Sequence, residues 1–587
     1  MNTPLMPKLM TIGDQYGQAE LIAMVKQLLK RNCDTAHCVD QLRFGVATKT
    51  GCAIEDAERL ILGIVHLTRR KVKKDKHQLF LSAPTPGENS LLMTRRPLTT
   101  KGDLGEMIYS VMCRQAQVAK KVIPQIAEWF MTMDDSLTKE LKIQDISMTH
   151  AAWIGDREFY HDTFLDPETR LYLRGPLNPQ RQESDGALVG FAEETTFSDA
   201  DLQFVSGLGD RMYGVNLDNC EDIWKDRNSL VRQIGTRAIN FALGLLVALQ
   251  TGKTWLMVHQ DRSSAYAQDQ GMMVRCRKTL SNCNMLAGPP VDLWNLIQLY
   301  LFTKQRWLTG AVAPDFCRKL VKIPGTPMGY QASPKTASAR YFGLEDDGRD
   351  LNAVDDDDWL LSGAPQWFRI LAEAYLLQNN ITRSNKNVLA FGLKLATLVQ
   401  AGMKQYAPGS FEFGRQIRAA NQKVRESTGT GVSWFTATDY NVKQLPWRKP
   451  KGVDAVDENG KLVTKEIETT VCNPQTGERY RAFVTIVPVQ ENTSDLAAGP
   501  CIAQSAEASA NFHFGYNMEA GAPWCSTHDD EMTTVRDAPK VSSRLRNAVW
   551  WTHQRNTFAE VMTSAGLAPE YSGPPLTRDE IAGNLTG

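Results

Sequence analysis

Apolar residues recur at helical spacing over several long stretches of the chain. Spacings of three and four residues place apolar side chains on one face of a helix, so these stretches predict helices. Within the stretch from Leu104 to Phe130, we expect Pro124 to kink or split the helix, because proline lacks the amide hydrogen that a helix interior uses. The stretches predicted to be helical are residues 17–32, 54–67, 104–130, 285–320, 366–423 and 544–562.

Strand signals are concentrated in two parts of the chain. Residues 148–258 mix strand and helix signals, and residues 430–490 alternate between apolar and polar positions. In the second region, Asn459-Gly460 and the run from Asn473 to Gly477 lie between β-branched stretches. Residues of these types favour the tight turns of hairpins. The combined pattern predicts an α+β protein.

The first ninety residues contain a basic run from Arg69 to Lys76, which follows two helical stretches and precedes a strand-like segment at 78–82. This order is compatible with a small winged-helix-like nucleic-acid binder. A solvated basic loop on a helical domain is the alternative interpretation. Residues 82–100 are rich in Pro, Gly, Ser and Thr and predict a linker. We therefore expect a separate N-terminal domain within residues 1–90.

The composition is that of an ordinary globular protein. The chain has 587 residues with 66 Lys+Arg and 66 Asp+Glu, so disorder as the dominant state is excluded and a small basic DNA-binding module is disfavoured. The longest apolar run, Phe241 to Leu249, is far shorter than a membrane span. Eleven cysteines without a Cys-x-x-Cys pair, and an N-terminus without an apolar signal segment, predict a reduced, cytoplasmic protein.

Two segments that carry carboxylates are the first candidates for chemistry. An apolar strand that starts near Trp255 ends at Asp261, beside the main-chain carbonyl of Arg262. Asp529 and Asp530 are adjacent on a distant turn, and adjacent carboxylates repel each other unless a cation lies between them. Together the segments offer the oxygen ligands of a two-metal phosphoryl-transfer site. Alternatively, Asp261 caps a helix and the Asp-Asp pair is a solvated turn.

A third segment carries cationic residues at helical spacing. Four residues of this segment are each spaced by four, so that on a helix they share one face: Arg318, Lys322, Thr326 and Tyr330. A face with Arg and Lys suits a triphosphate, and Tyr330 can pack on a sugar or base. Pro324 and Pro327 are expected to distort a regular helix. The alternative is a helix that ends at Lys322 and is followed by a loop.

A fourth segment pairs Asp166 with Arg170 at the start of a predicted strand. Arginine is a frequent contact for the phosphates of a nucleic-acid backbone, and this gives Arg170 a functional interpretation. The alternative is a structural ion pair between the two residues on a surface turn.

The order and spacing of these segments resemble the single-subunit RNA polymerases of phages and mitochondria, which are related to the family-A DNA polymerases. Asp261 to Gln268 resembles motif A of that family, Arg318 to Tyr330 resembles motif B, and His528-Asp529 resembles motif C. The segment from Asp166 to Arg170, with Leu-Tyr after it, resembles the family's Asp-x-x-Gly-Arg segment. The resemblance extends over about residues 150–570.

The chain departs from the family pattern beside several of the shared residues. Where the family has Gly, His, Gly and Ser, this chain has Thr169, Asp269, Gln331 and Asp530. Residues 504–507 lie where the family has a His-Ser-x-Asp turn, and the hairpin signals at 450–490 fall where the family has its promoter-reading hairpin.

The resemblance implies a right-hand polymerase fold with palm, fingers and thumb, and with a short, mainly helical N-terminal domain. The implied regions are the N-terminal domain (1–90), a thumb-like helical region (91–150), the first part of the palm (151–275), the fingers with the hairpin (276–500) and the second part of the palm with a C-terminal helix (501–587).

The resemblance also implies template-directed RNA synthesis from ribonucleoside triphosphates, with two Mg²⁺ ions held by Asp261, Asp529 and the carbonyl of Arg262. The implied catalytic residues are Asp261, Asp529, Lys322, Tyr330 and His528. Arg318, Lys322 and Tyr330 are expected to bind the triphosphate, with Lys322 placed to protonate pyrophosphate and Tyr330 at the sugar. Arg170, Asp166 and Gln268 are expected to bind nucleic acid.

The implied partners are a DNA template, the RNA product and nucleoside triphosphates, without a membrane, in the transcription of a phage genome. Because the region before the palm is short, we also expect an accessory protein that binds single-stranded DNA or recognises the promoter. Two alternatives stay open: a DNA polymerase or RNA-templated polymerase of the same fold, and a non-catalytic nucleic-acid-binding protein. No spaced carboxylates of a 3′–5′ exonuclease precede the palm, which favours RNA synthesis.

Overall fold

A computed structural model of the protein describes most of the chain after residue 105. The described residues are 42, 46–47, 57, 61, 106–165, 169–173, 175–289, 291–308, 314–343, 364–428, 431–443, 465–472, 479–486 and 498–583. The predicted N-terminal domain with its basic run, the linker, Asp166 and the Asn459-Gly460 turn therefore lie outside the described residues, apart from the single positions named.

Helices form most of the described chain. Those in the first half are α1 (Glu106–Ala116), α2 (Pro124–Thr132), α3 (Asp135–Glu140), α4 (Asp145–Ile154), α5 (Glu183–Ala187), α6 (Asp199–Tyr213), α7 (Cys220–Lys225), α8 (Arg227–Ile234), α9 (Thr236–Thr251), α10 (Ala265–Met273) and α11 (Arg277–Ser281). Those in the second half are α12 (Leu293–Lys304), α13 (Pro314–Gly329), α14 (Pro334–Ser338), α15 (Gln366–Gln378), α16 (Asn385–Tyr406), α17 (Pro408–Thr428), α18 (Ala498–Tyr516), α19 (Val541–Gln554) and α20 (Thr557–Ser564). Two short 3₁₀ helices span Ala339–Phe342 and Ala538–Lys540.

The strands are short and form small antiparallel sheets. They are β1 (Lys120–Val122), β2 (Thr163–Leu165), β3 (Leu171–Leu173), β4 (Val189–Phe191), β5 (Thr195–Thr196), β6 (Lys253–Thr254), β7 (Val258–Asp261), β8 (Ser433–Phe435), β9 (Asn441–Lys443), β10 (Lys465–Cys472), β11 (Arg479–Ile486), β12 (Trp524–Thr527) and β13 (Asp530–Thr533). The mixture of helices and strands makes this an α+β protein. β10 and β11 pair as an antiparallel hairpin within the region where hairpins were predicted.

Local sequence signals explain where several elements begin. Pro124 occupies the first turn of α2, where a missing amide hydrogen breaks no helical bond, and β1 separates this helix from α1. The stretch predicted as one helix from 104 to 130 is thus split at the proline. Helix α6 begins with a capping box formed by Ser198 and Asp201.

A three-stranded sheet in the order β12-β13-β7 joins the two halves of the chain. In its antiparallel register, Asp530 lies opposite Asp261 and Thr533 lies opposite Val258. Val258 of β7, Cys525 of β12 and Met532 of β13 belong to a core that also contains residues of α9 and α2, so helices of the first half pack against the sheet. This core includes Trp129 and Val258, and it therefore crosses the boundary predicted at residue 150.

A second core is built by helices alone. It packs α12, α13, α15 and α16 around stacked aromatic rings, of which Tyr341 and Phe368 have centroids 4.7 Å apart. This helical layer includes α13.

Helix α10 lies at the centre of the molecule, and all nine of its residues are buried. Its side chains contribute to three separate cores: Tyr266 to the helical layer, Met272 to a core around α18 and α19, and Met273 to a core around α17 and α20. Because α10 directly follows β7, these three cores meet at the helix that begins beside the end of that strand. Among the described residues, none of the helices has the length and apolar character needed to cross a bilayer.

Candidate active site

The sheet brings together carboxylates that are far apart in the sequence. Asp261 is the last residue of β7, and Asp530 is the first residue of β13 and its direct neighbour across the ladder. Asp529 precedes β13 in the tight turn, and its carbonyl accepts a hydrogen bond from the amide of Arg262 at 2.9 Å. Directly opposed residues on antiparallel strands point to the same face, so the carboxylates of Asp261 and Asp530 share one side of the sheet.

The turn before Asp529 holds an unusual backbone conformation. His528 has φ of 54°, in the left-handed region, and its carbonyl accepts a hydrogen bond from the side chain of Asn511 on α18. Its imidazole packs edge-on against Tyr172 with ring centroids 5.1 Å apart. Burial, and then the charge of Arg170, lower the pKa of His528 to about 4, so the ring is neutral at neutral pH. His528 thus shapes the turn that presents Asp529.

Crowding changes the acidity of two of the carboxylates. Displacement of water by surrounding protein, followed by repulsion from Asp529 and Asp530, raises the pKa of Asp261 well above its ordinary value, although one side of the residue is exposed. Burial also raises the pKa of Asp529, and the neighbouring Asp530 adds to this, while Arg262 acts in the opposite direction. The two carboxylates are therefore held close together at a cost in electrostatic free energy that a bound cation would relieve.

Asp530 behaves differently from its neighbours. His259 lies on the same face of β7, two residues before Asp261, and its Nδ1 is 2.6 Å from Oδ2 of Asp530. Burial alone would raise the pKa of Asp530, but this imidazole and the charge of Arg237 lower it overall. Asp530 is therefore an ionised carboxylate with its own protein partners, and this distinguishes it from Asp261 and Asp529.

The donor set at the strand end is made of oxygen atoms. The carboxylates of Asp261 and Asp529 and the carbonyl of Arg262 are hard ligands of the kind that Mg²⁺ prefers. Among the described residues, no group of three or more His, Cys, Asp and Glu side chains is arranged as a metal site. A cation at this position would thus combine two protein carboxylates with main-chain, water or substrate oxygens, as Mg²⁺ sites on phosphates commonly do.

Helix α13 remains helical from Pro314 to Gly329 although Pro324 and Pro327 lie inside it. Pro324 has no amide hydrogen to offer to the carbonyl of Leu320, and that carbonyl instead accepts a hydrogen bond of 2.6 Å from the hydroxyl of Tyr341. The alternative interpretation, a helix that ends at Lys322, is therefore not observed. A residue outside the helix replaces a bond that the proline removes.

Two glycines on α13 allow close packing beside the site. A Cβ atom added at Gly325 would lie 2.2 Å from the ring of Trp294, and one added at Gly329 would lie 2.3 Å from the ring of Tyr266. Both contacts are far below van der Waals distance, so larger residues would push α13 away from α10 and α12.

The residues of the predicted cationic face lie at different depths. Lys322 is exposed, and its charge is near enough to Asp261 to offset part of the rise in the pKa of that carboxyl. Arg318, one turn earlier, donates from Nε to Oδ2 of Asp292 at 3.0 Å, and its side chain is 48% exposed. Tyr330, just after the helix, is half-buried and packs against Tyr266.

Arg170 links Tyr330 to α18. Its guanidinium donates a hydrogen bond to the Tyr330 hydroxyl and lies 3.4 Å from the Glu507 carboxylate. Burial raises the pKa of Glu507 to about 8, with Asp529 adding to the rise and Arg170 opposing it. The predicted partner Asp166 lies outside the described residues, and the structure instead gives Arg170 two partners from distant segments.

Gln268 lies in the interior of the protein, which differs from its expected role. It was expected to bind nucleic acid, but its side chain is completely buried. It accepts a hydrogen bond of 2.9 Å from Arg262 and donates one of 2.7 Å to the carbonyl of Cys283. In this structure Gln268 has no surface that a nucleic acid could contact, and its side chain joins Arg262 to the carbonyl of Cys283 inside the protein.

Several residues of the site escaped the sequence interpretation. The period of two along β7 places His259 on the same face as Asp261, and this signal was available. Glu507 was noted only as lying at a family turn, and Asp269 only as a departure from the family pattern. His553 gave no local signal, because its partner Asp269 is 284 residues away in the sequence. The chain matches no family model and no curated protein sequence. Its function is therefore inferred from the geometry of the site.

Proposed function

We propose that the protein is a nucleotidyltransferase that synthesises RNA on a DNA template, with a right-hand polymerase architecture. The observation that carries this proposal is the meeting of Asp261 and Asp529 at one sheet end, faced by Lys322 from α13. Carboxylates that attract metal ions, opposed by a cation that attracts phosphates, are what transfer of a nucleotidyl group requires. In this interpretation the sheet with its helices is the palm, the layer containing α13 is the fingers, and part of residues 91–150 is the thumb.

The residues fit two Mg²⁺ ions as cofactors. Asp261 and Asp529 would hold them, together with the carbonyl of Arg262. When bound, such ions activate the attacking 3′-hydroxyl and stabilise negative charge on the triphosphate. Asp530 has a different task in this proposal, since His259 already occupies one of its oxygens. It adds negative charge beside Asp261 and holds the end of β7.

Two cationic side chains of α13, Lys322 and Arg318, would bind the phosphates of the incoming nucleotide. Lys322 is exposed on α13, and its charge acts on the carboxyl of Asp261. It would bind the phosphates nearest the reacting atom, where it can also give a proton to departing pyrophosphate. Arg318 lies one turn further out and would hold the distal phosphates. This assignment predicts that the two cations affect different kinetic constants.

Tyr330 and Arg170 would contact the sugar and the newly formed duplex. The hydroxyl of Tyr330 is tied to Arg170, and Arg170 is tied to Glu507, so the aromatic ring has a fixed position beside the site. A rigid ring at this position can test the sugar of the incoming nucleotide by its shape. The resemblance to polymerases of phages and mitochondria supports ribose as the preferred sugar.

Primer extension tests the proposal directly. The purified chain is given an RNA primer annealed to a DNA or an RNA template, with ribonucleotides or deoxyribonucleotides and Mg²⁺. We expect extension with ribonucleotides on DNA that stops when EDTA is added. Extension with deoxyribonucleotides, or on RNA alone, would assign the chain to another polymerase class, and binding without any extension would indicate a non-catalytic nucleic-acid-binding protein.

A further inference from the structure

Helix α10 carries three consecutive polar residues in the fully buried centre of the molecule: Gln268, Asp269 and Gln270. Burial of polar groups is unfavourable unless each finds a partner. Gln270 donates to the carbonyl of Gly329, at the end of α13. Gln268 and Asp269 instead turn toward Arg262, the residue that follows Asp261. All three side chains of α10 therefore hold segments that form the candidate active site.

Arg262 is anchored through its side chain. The guanidinium has no exposed surface, and it donates from Nε to Gln268 at 2.9 Å and from Nη2 to Oδ1 of Asp269 at 3.2 Å. Its main-chain amide donates to the carbonyl of Asp529. A buried guanidinium is stable only when its partners stay in place. The backbone directly after Asp261 is thus held by contacts made 6 and 7 residues later.

Asp269 has a second partner near the end of the described chain. Nε2 of His553, on α19, lies 3.0 Å from the same Oδ1 that accepts from Arg262. A continuous set of contacts therefore runs from α19 through Asp269 to Arg262. Nη1 of Arg262 and Oδ2 of Asp269 are buried and have no hydrogen-bond partner among the described residues. These atoms offer no existing bond that could compensate for the loss of His553.

We propose that Asp269 and His553 are positioning residues of the carboxylate site, which act through Arg262. By fixing the guanidinium, they fix the backbone directly after Asp261, including the carbonyl of Arg262, so that helix α19 sets the geometry in which oxygen ligands would meet a divalent cation. This inference rests on the proposed function. Neither residue touches the reacting atoms, and loss of either should disturb cation binding and the rate of transfer while nucleotide recognition persists.

The chain offers a matched control for His553. His513, on α18, stacks on Trp551 of the same helix α19 with ring centroids 4.5 Å apart, and it is not a partner of Asp269. His513→Ala therefore removes an imidazole that packs against α19 and leaves the contacts of Arg262 intact. His553→Gln keeps an N–H group that can donate to Asp269 and serves as the conservative variant.

The test measures Mn²⁺ binding by electron paramagnetic resonance, as a substitute for Mg²⁺, and the single-turnover rate of nucleotide addition on a primed template. We expect His553→Ala and Asp269→Asn to weaken Mn²⁺ binding and to lower the maximal rate at least tenfold. The KM for the nucleotide should stay within twofold. His553→Gln should keep most of the Mn²⁺ affinity and of the maximal rate that His553→Ala loses, and His513→Ala should behave as wild type. Thermal unfolding of every variant shows whether it is folded.

Three results would overturn the inference. Wild-type Mn²⁺ affinity and rate in folded His553→Ala would do so, as would equal losses in His513→Ala, which would indicate a general packing effect. The inference would also be overturned if His553→Ala is folded and His553→Gln shows the same losses of Mn²⁺ affinity and rate. If His553→Ala does not fold, His553→Gln and Asp269→Asn are compared with wild type instead. If the wild-type chain adds no nucleotide, the proposed function fails, and Mn²⁺ binding alone decides this inference.

Discussion

The balance of charge around Asp261 depends on individual side chains. Asp261, Asp529, Asp530 and Glu507 bring up to four negative charges into a small volume, and the nearby cations come from four separate segments: Arg170, Arg237, Arg262 and Lys322. The arginines are buried or half-buried and have protein partners, whereas Lys322 is exposed. Lys322 is therefore the cation of this set that is best placed to meet a substrate.

Substitution of the two cations on α13 should separate binding from chemistry. We expect Lys322→Ala to lower the maximal rate of nucleotide addition by roughly 10- to 100-fold, because a charge-assisted contact close to the reacting phosphate is lost. Arg318→Ala should mainly raise the KM for the nucleotide, by less than tenfold, because this side chain is half-exposed and already paired with Asp292. Single-turnover kinetics over a range of nucleotide concentrations separates the two effects.

Lys319→Ala is the comparison for these variants, since it removes another exposed lysine from the same helix, three residues before Lys322. Equal losses in all three variants would show that the positive charge of the helix as a whole, and not the particular positions of Arg318 and Lys322, determines the rate and the KM.

Glu507 gives a dependence of stability on pH. Its pKa in the folded protein is about 8, above the ordinary value of 4.5, because burial disfavours the charged form. Between these values the unfolded chain is ionised while the folded chain keeps the proton, so this group makes folding less favourable as the pH rises, by at most about 1.4 kcal/mol per pH unit. Glu507→Gln removes that effect.

We therefore expect the thermal midpoint of Glu507→Gln, relative to wild type, to increase from pH 5 to pH 8. Differential scanning fluorimetry at several pH values measures it. A constant difference across this range would mean that Glu507 is already ionised in the folded protein.

At the scale of elements, α13 depends on a bond from outside the helix. The Tyr341 hydroxyl satisfies the carbonyl of Leu320 that Pro324 leaves free, and Tyr341 is completely buried. We expect Tyr341→Phe to destabilise the protein by about 1–3 kcal/mol, the cost of leaving a buried carbonyl without a partner. Denaturant unfolding measures this loss. Tyr375→Phe, which removes an exposed hydrogen bond to Lys394, is the control and should change stability far less.

The elements also mark where sequence reasoning succeeds and where it stops. The helical periods, the split at Pro124 and the hairpin formed by β10 and β11 depend on local patterns, and the structure has these features. The continuation of α13 through two prolines depends on a hydrogen bond from Tyr341, which lies 21 residues after Leu320 and outside the local pattern that predicts the helix. Gln268 was expected to bind nucleic acid because of its place in the segment that resembles motif A, whereas its side chain is buried and accepts a hydrogen bond from Arg262.

At the scale of the whole molecule, the proposed function requires that a DNA duplex be opened before RNA synthesis begins. The hairpin region carries four basic residues at sequence positions Lys461, Lys465, Arg479 and Arg481, which suffice for backbone contacts and one or two base contacts. A polymerase with these features should elongate readily but needs help to initiate.

We expect the purified chain to initiate poorly on a fully duplex template and well on a pre-melted bubble or a single strand. Run-off transcription on the three templates measures this, with primed extension as the control for activity. Strong, site-specific initiation on intact duplex without an added factor would exclude the need for a partner that melts or holds single-stranded DNA. Equal failure on all three templates, with primed extension intact, would place the defect in priming.

The central claim is that Asp261 and Asp529 form one metal-dependent catalytic site, and its most direct test is nucleotide addition by Asp261→Asn and Asp529→Asn. Loss of one carboxylate ligand should remove several kcal/mol of transition-state stabilisation, so we expect the rate to fall at least about a thousandfold while affinity for primed template stays near wild type. Asp530→Ser, which alters the neighbour paired with His259, should be tolerated better. If either Asn variant keeps a tenth of the wild-type rate, the two carboxylates are not the catalytic centre.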